Sequence, residues 1–130
     1  MKITAEIVPI PLARTKINTA NKGRFLTPSS QKFKRDLALI ALSEMSGKKL
    51  FTGAICVHID LYKNCATTSR NYGDADNHAK AVLDALNNIV FADDAQVVSL
   101  QVAKHKSKIQ GLQIFILQAT ENLEVEEWRN

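Results

Sequence analysis

Five aspartates fall between positions 74 and 94: Asp74, Asp76, Asp84, Asp93 and Asp94. Asp74 and Asp76 stand two apart just before a helical pattern, and Asp93-Asp94 stand beyond its far end, where the next strand begins. If the strand carrying Asp93-Asp94 passes the end of the sheet where residues 70–76 emerge, three or four carboxylates meet. Their mutual repulsion then calls for a cation or shared protons. Carboxylate oxygens are hard ligands suited to Mg²⁺, with Mn²⁺ as a substitute. A metal there would acidify a bound water and polarise a phosphate, which is phosphodiester-cleavage chemistry. Lys80 lies one helical turn after Asp76, on the same face, where its ammonium could neutralise charge building on the phosphate. Each residue also has a plainer reading. Asp74 or Asp76 can cap the helix, Asp76 and Lys80 can form a surface pair worth about 0.2–0.5 kcal/mol, and Asp93-Asp94 can be a turn. His78, near the same helix start, reads as a helix-surface residue.

The elements that carry these side chains follow from periodicity. Ile3, Ala5 and Ile7 alternate with Lys2, Thr4 and Glu6, a strand ended by Pro9 and Pro11. After a polar loop, Ser29 or Ser30 offers a helix N-cap, and Phe33, Leu37, Ile40 and Ala41 recur at helical spacing until Gly47. Ile55, Val57, Ile59 and Leu61 alternate with Cys56, His58, Asp60 and Tyr62, a strand with one face in the core and His58 turned away from it. Ala79, Val82, Leu83 and Leu86 give the second helix one apolar face over residues 76–88, with Asn87-Asn88 as its stop. Two further strands, 96–103 and 112–119, are expected to pair as a hairpin with a basic tip. The order predicts an α/β fold: a single-domain mixed β-sheet with helices packed on one face.

A chain of 130 residues, 45% hydrophobic, buries one core and is too short for two ordinary domains. We expect one domain over residues 1–120 and an acidic C-terminal tail over 121–130. No segment approaches the length of a membrane span, and Lys2 and Glu6 interrupt any apolar start, which predicts a cytoplasmic protein. Cys56 and Cys65 lack a zinc-type spacing and read as reduced, partly buried thiols. Without the last ten residues the chain carries 16 basic against 9 acidic side chains, and five of those nine are the aspartates above. A basic body around one acidic island attracts phosphate backbones.

Taken together, Gly73-Asp74-Ala75-Asp76-Asn77-x-x-Lys80-x-x-x-Asp84-Ala85-Leu86-Asn87 and Phe91-Ala92-Asp93-Asp94-Ala95-Gln96-Val97-Val98 closely resemble the RusA family of Holliday-junction resolvases. Pro9-x-Pro11, the Asn21-Lys22-Gly23-Arg24 loop, and the helix start from Ser30 to Arg35 with Phe33 extend the resemblance through the N-terminal half. It implies a homodimeric, Mg²⁺-dependent endodeoxyribonuclease that nicks branched DNA symmetrically at four-way junctions. By motif position the essential aspartates fall on Asp74, Asp76 and Asp94, the catalytic lysine on Lys80, and an accompanying acidic position on Asp93. Some members carry several arginines directly before the first aspartate, whereas this chain has only Arg70. DNA contacts are therefore also expected from Arg14, Lys16, Lys22, Arg24 and the hairpin-tip lysines Lys104, Lys106 and Lys108. The alternatives are a noncatalytic nucleic-acid-binding module, and a nuclease acting on flaps, forks or RNA.

Overall fold

The computed structural model describes residues 1–13 and 26–119. Strand β1 (Lys2–Ala5) leads to helix α1 (Pro28–Glu44), strand β2 (Ile55–Lys63), helix α2 (Ala75–Leu86), a single 3₁₀ turn (Asp94–Gln96), strand β3 (Val97–Lys106) and strand β4 (Gly111–Gln118). Proline at the first helical position pre-sets the backbone of α1, and the cap is Thr27, whose hydroxyl accepts from the Ser30 amide at 3.3 Å. The serines expected to cap lie inside the helix. Ser30 is buried there, and its hydroxyl accepts from the Ala13 amide at 3.2 Å.

The sheet order is β1-β4-β2-β3, with β2 parallel to β3 and both other pairings antiparallel. The expected hairpin between the last two strands does not form. β2 lies between them, and residues 107–110 cross over its end, where the Ser107 amide donates to Lys63 O at 2.9 Å. Two strand spacings come to roughly 10 Å, a gap that four extended residues bridge. Burial decides the order. Leu112, Ile114 and Ile116 of β4 are at most 1% exposed, as befits an inner strand, whereas Val98 and Leu100 of β3 remain exposed at an edge.

β2 alternates strictly, with every odd-numbered residue from Ile55 to Lys63 buried on the helix side. Phe33, Leu37 and Ala41 of α1 and Ala79, Val82 and Leu86 of α2 complete the core over that face. The other face carries Cys56, His58, Asp60 and Tyr62. As the alternation predicts, His58 is outside the core, with its Nδ1 3.1 Å from Gln101 Oε1. Asp60 accepts from His105 at 2.8 Å and lies 3.2 Å from His58. Cys56 and Cys65 are both free thiols of intermediate burial. No helix among the described residues is long and apolar enough to cross a membrane.

Candidate active site

Asp74 occupies the N-cap position of α2 with extended backbone, yet its side chain makes no capping hydrogen bond. Its carboxylate is therefore not consumed by the helix. Asp76 and Lys80 are exposed on the helix that follows, and among the described residues no ion pair joins them. Asp84, another turn along, continues the same row at i, i+4 and i+8. Sequence reasoning gave Asp84 no role, although that spacing was the available signal.

The backbone that presents Asp74 is held from three elements. Tyr72 is fully buried, and its hydroxyl, 2.9 Å from Leu61 O and 2.8 Å from His105 O, ties it to β2 and β3. Gly73 has φ +92°, and a Cβ built there would lie 2.8 Å from the Pro11 ring and 3.0 Å from His78 Nε2. His78 is 1% exposed, which corrects the expectation of a surface residue. Its Nε2 donates to Tyr72 O at 2.6 Å, and burial pushes its pKa down.

Beyond the other end of α2, Asn88 takes φ +65°, the left-handed conformation asparagine tolerates at a helix stop. Asp93 then caps the 3₁₀ turn: its Oδ1 accepts from the Ala95 amide at 3.0 Å, while Gln96 Oε1 accepts from the amides of Ala92 and Asp93. Gln96 also donates to Phe51 O and Gly53 O, both at 3.0 Å, which fixes the turn against the start of β2. The hydrogen bond between the neighbouring carboxyls holds Asp94 above the ordinary carboxylate range, with the Asp93 and Asp84 charges adding to the effect. The Ala95 amide, followed by that same hydrogen bond, holds Asp93 below it. Three carboxyls thus feel one another at this end, as expected of a place that a cation would relieve.

The expected convergence of both acidic groups within one chain does not occur. Asp74 follows the C-terminal end of β2, beside Lys104, whereas Asp94 precedes Val97, which pairs with Ile55 at the opposite end of that strand. The twelve residues of α2 lie between them, about 18 Å at 1.5 Å per residue. Accordingly, among the described residues no three His, Cys, Asp or Glu side chains are grouped to hold a metal ion. The donor types suit a hard cation, but one chain offers them as two separate sets.

Of the expected DNA contacts, Arg70, Lys106 and Lys108 are exposed. Lys106 ends β3, Lys108 lies in the crossover after it, and Lys104 is half-buried within β3 with its ammonium donating to Gly73 O at 3.2 Å. There is no hairpin tip for them to share. Arg14, Lys16, Lys22 and Arg24 lie outside the described residues, as does the segment 121–130.

Residues 6–117 match the endodeoxyribonuclease RusA family. The chain is also 27% identical over 135 residues to an uncharacterised protein of Bacillus subtilis (strain 168), YqaN, an alignment covering 89% of this chain and 94% of the relative. The family match spans both acidic sets, the lysine between them, both helices, β2, β3 and β4 as far as Leu117, and begins just after β1. The chain belongs to the RusA family of endodeoxyribonucleases.

Proposed function

We propose that this chain is the subunit of a divalent-metal-dependent Holliday-junction resolvase. It acts as a two-fold homodimer that nicks four-way DNA junctions symmetrically, in cytoplasmic DNA recombination and repair. The observation that carries this reading is the division of the acidic residues between the two ends of α2 in a chain of this family. A two-fold axis passing near the middle of that helix sets two copies antiparallel. Asp74 and Asp76 of one subunit then approach Asp94 of the partner subunit, and the same pairing recurs on the other side. Two identical sites result, matching the two-fold character of a junction. The exposed apolar Val98 and Leu100 on the free edge strand beside α2 supply surface for such an interface.

In this assembly Asp74, Asp76 and Asp94 hold the ion, and Asp93 supports Asp94 by capping its turn and adding negative charge beside it. The ion, Mg²⁺ with Mn²⁺ as a substitute, supplies Lewis acidity and an acidified water. Lys80, exposed between the two sets, places its ammonium against the phosphate as charge develops there. Arg70, Lys106 and Lys108 are exposed and meet the backbone of the arms, and Arg14, Lys16, Lys22 and Arg24 are further phosphate contacts in this reading.

The test is a synthetic four-way junction incubated with wild type, Asp74→Asn, Asp94→Asn, and an equimolar refolded mixture of the two variants. Wild type cuts in Mg²⁺ and not in EDTA, and each variant alone is inactive while still binding the junction. The mixture recovers nicking of one strand, because half of the sites in a mixed dimer then carry both intact aspartates. Full activity of Asp94→Asn, or of wild type in EDTA, defeats the nuclease assignment. A mixture without activity defeats the shared site.

A further inference from the structure

Two lysines outside the row of acidic residues converge on the backbone that leads into Asp74. Lys63 ends β2 on its buried side and is 8% exposed. Its ammonium donates to Tyr72 O at 3.0 Å and to Asn71 O at 3.3 Å. Lys104 reaches in from β3 to Gly73 O at 3.2 Å. The two ammonium groups lie 5.4 and 5.2 Å from the centroid of the Tyr72 ring. Three successive carbonyls, those of residues 71, 72 and 73, are thus taken by two cations, with the His78 imidazole as a third donor.

We propose that Lys63 and Lys104 are positioning residues: they clamp the carbonyls of residues 71–73 and thereby aim the Asp74 carboxylate. This rests on the nuclease reading of Asp74. Stability alone is a poor reason for the arrangement. A buried ammonium is costly, and among the described residues neither lysine has a carboxylate within ion-pairing distance to offset that cost. What the charge obtains is a fixed backbone. The backbone of segment 64–74 is otherwise closed by local turns, such as Ser69 N to Ala66 O and Tyr72 N to Ser69 O, while the Tyr72 hydroxyl and the Asn64 amide tie it to the rest of the fold without holding the carbonyls of residues 71–73. Gly73, with its positive φ and no room for a Cβ, is the last joint before the aspartate. Cations anchored in two different strands therefore fix where that joint points. Lys104 accordingly leaves the set of expected phosphate contacts, because its ammonium is already spoken for by Gly73 O.

The experiment compares wild type, Lys63→Met, Lys104→Met and Lys104→Arg on a four-way junction in Mg²⁺. Single-turnover rates are measured at saturating enzyme, and junction affinity across a salt series. Misplacing a reacting group by an ångström costs on the order of 100-fold in rate, so each methionine variant should lose about 10- to 100-fold in rate. Affinity and its salt slope stay at the wild-type value, Lys104→Arg recovers most of the rate, and amide exchange quickens at residues 73–76. Lys104 is half-buried, so its variant remains folded and informative even where Lys63→Met does not. A salt slope reduced by about one in Lys104→Met, with its saturated rate intact, makes that lysine a phosphate contact and overturns the proposal. Wild-type rates in both folded methionine variants overturn it as well. A wild type that nicks no DNA at all overturns the nuclease reading itself, and is told apart from these outcomes by the wild-type lane.

Discussion

Adding one methyl group at Gly73 tests the frame around Asp74 more sharply than removing a charge does. Gly73→Ala forces an alanine to φ +92°, and the left-handed region costs an L-residue roughly 1–2 kcal/mol. The new Cβ would also stand 2.8 Å from Pro11 Cγ and 3.0 Å from His78 Nε2. Pro11 cannot simply retreat, because the next residue, Leu12, donates its amide to Asn77 O at 3.0 Å. Moving His78 instead breaks its hydrogen bond to Tyr72 O inside the core. Crowding of this kind costs about 1–3 kcal/mol. The sum, about 2–5 kcal/mol, moves a urea midpoint down by on the order of 1–3 M without changing m, and the melting temperature by about 10–20 °C. Equilibrium urea unfolding followed by tryptophan-independent far-UV circular dichroism reads the first, and a thermal scan the second. A loss under about 1 kcal/mol at constant m would refute the reasoning, since a glycine required by both backbone and space cannot be replaced that cheaply.

His78 is buried with a lowered pKa, so its unfolded form binds more protons once the pH drops below the model-peptide value of about 6.5. Stability from this residue is therefore complete above that pH and declines as pH falls toward the folded value. His78→Gln, which keeps a donor for Tyr72 O, should flatten the decline in urea midpoint between pH 7.5 and 5.5, and an equally steep decline would locate the titration elsewhere. Asp60 has the complementary behaviour. Burial pushes its pKa up, but the hydrogen bonds from His105 and His58 outweigh this and leave it below the ordinary value of 3.8. Its contribution is present above pH about 4 and is lost as pH falls through the lowered value. Asp60→Asn should accordingly cost about 0.5–1.5 kcal/mol near pH 6 and less near pH 3. An equal cost at both values would assign the loss to packing.

What the sequence made legible was local. The alternation of Ile55, Val57, Ile59 and Leu61 announced β2, and the spacing of Phe33, Leu37 and Ala41 announced α1. The acidic motif and the family were readable because they are patterns of residue type and gap. His78 was misread because helical periodicity ranks a histidine by its neighbours on the same helix. Its burial comes instead from Tyr72 O, which a separate loop delivers to it. The hairpin expectation failed for a related reason. Two strands expected at 96–103 and 112–119 look like neighbours, and nothing local says that β2 will come between them. The burial of Leu112, Ile114 and Ile116 on one side and the exposure of Val98 and Leu100 on the other decide it, through contacts remote in sequence. Lys63 carried no signal at all, since a lysine closing a strand is usually solvated.

The same nonlocal pairing explains why one chain cannot assemble the acidic residues. β2 and β3 are parallel, so the connection between them must return along the whole sheet, and α2 is that return. In such a unit the residue before the helix and the residue after it are separated by the helix itself. No rearrangement of side chains closes a gap of about 18 Å, because an aspartate reaches only a few ångströms from its own backbone. A motif of two acidic groups flanking a crossover helix therefore has a consequence that spacing on paper conceals. The groups serve one ion only where a second copy of the helix runs alongside in the opposite sense. Under the reading proposed above, the chemistry of this subunit and its self-association become one requirement, and mixing two inactive variants is then expected to restore a cut that neither makes alone.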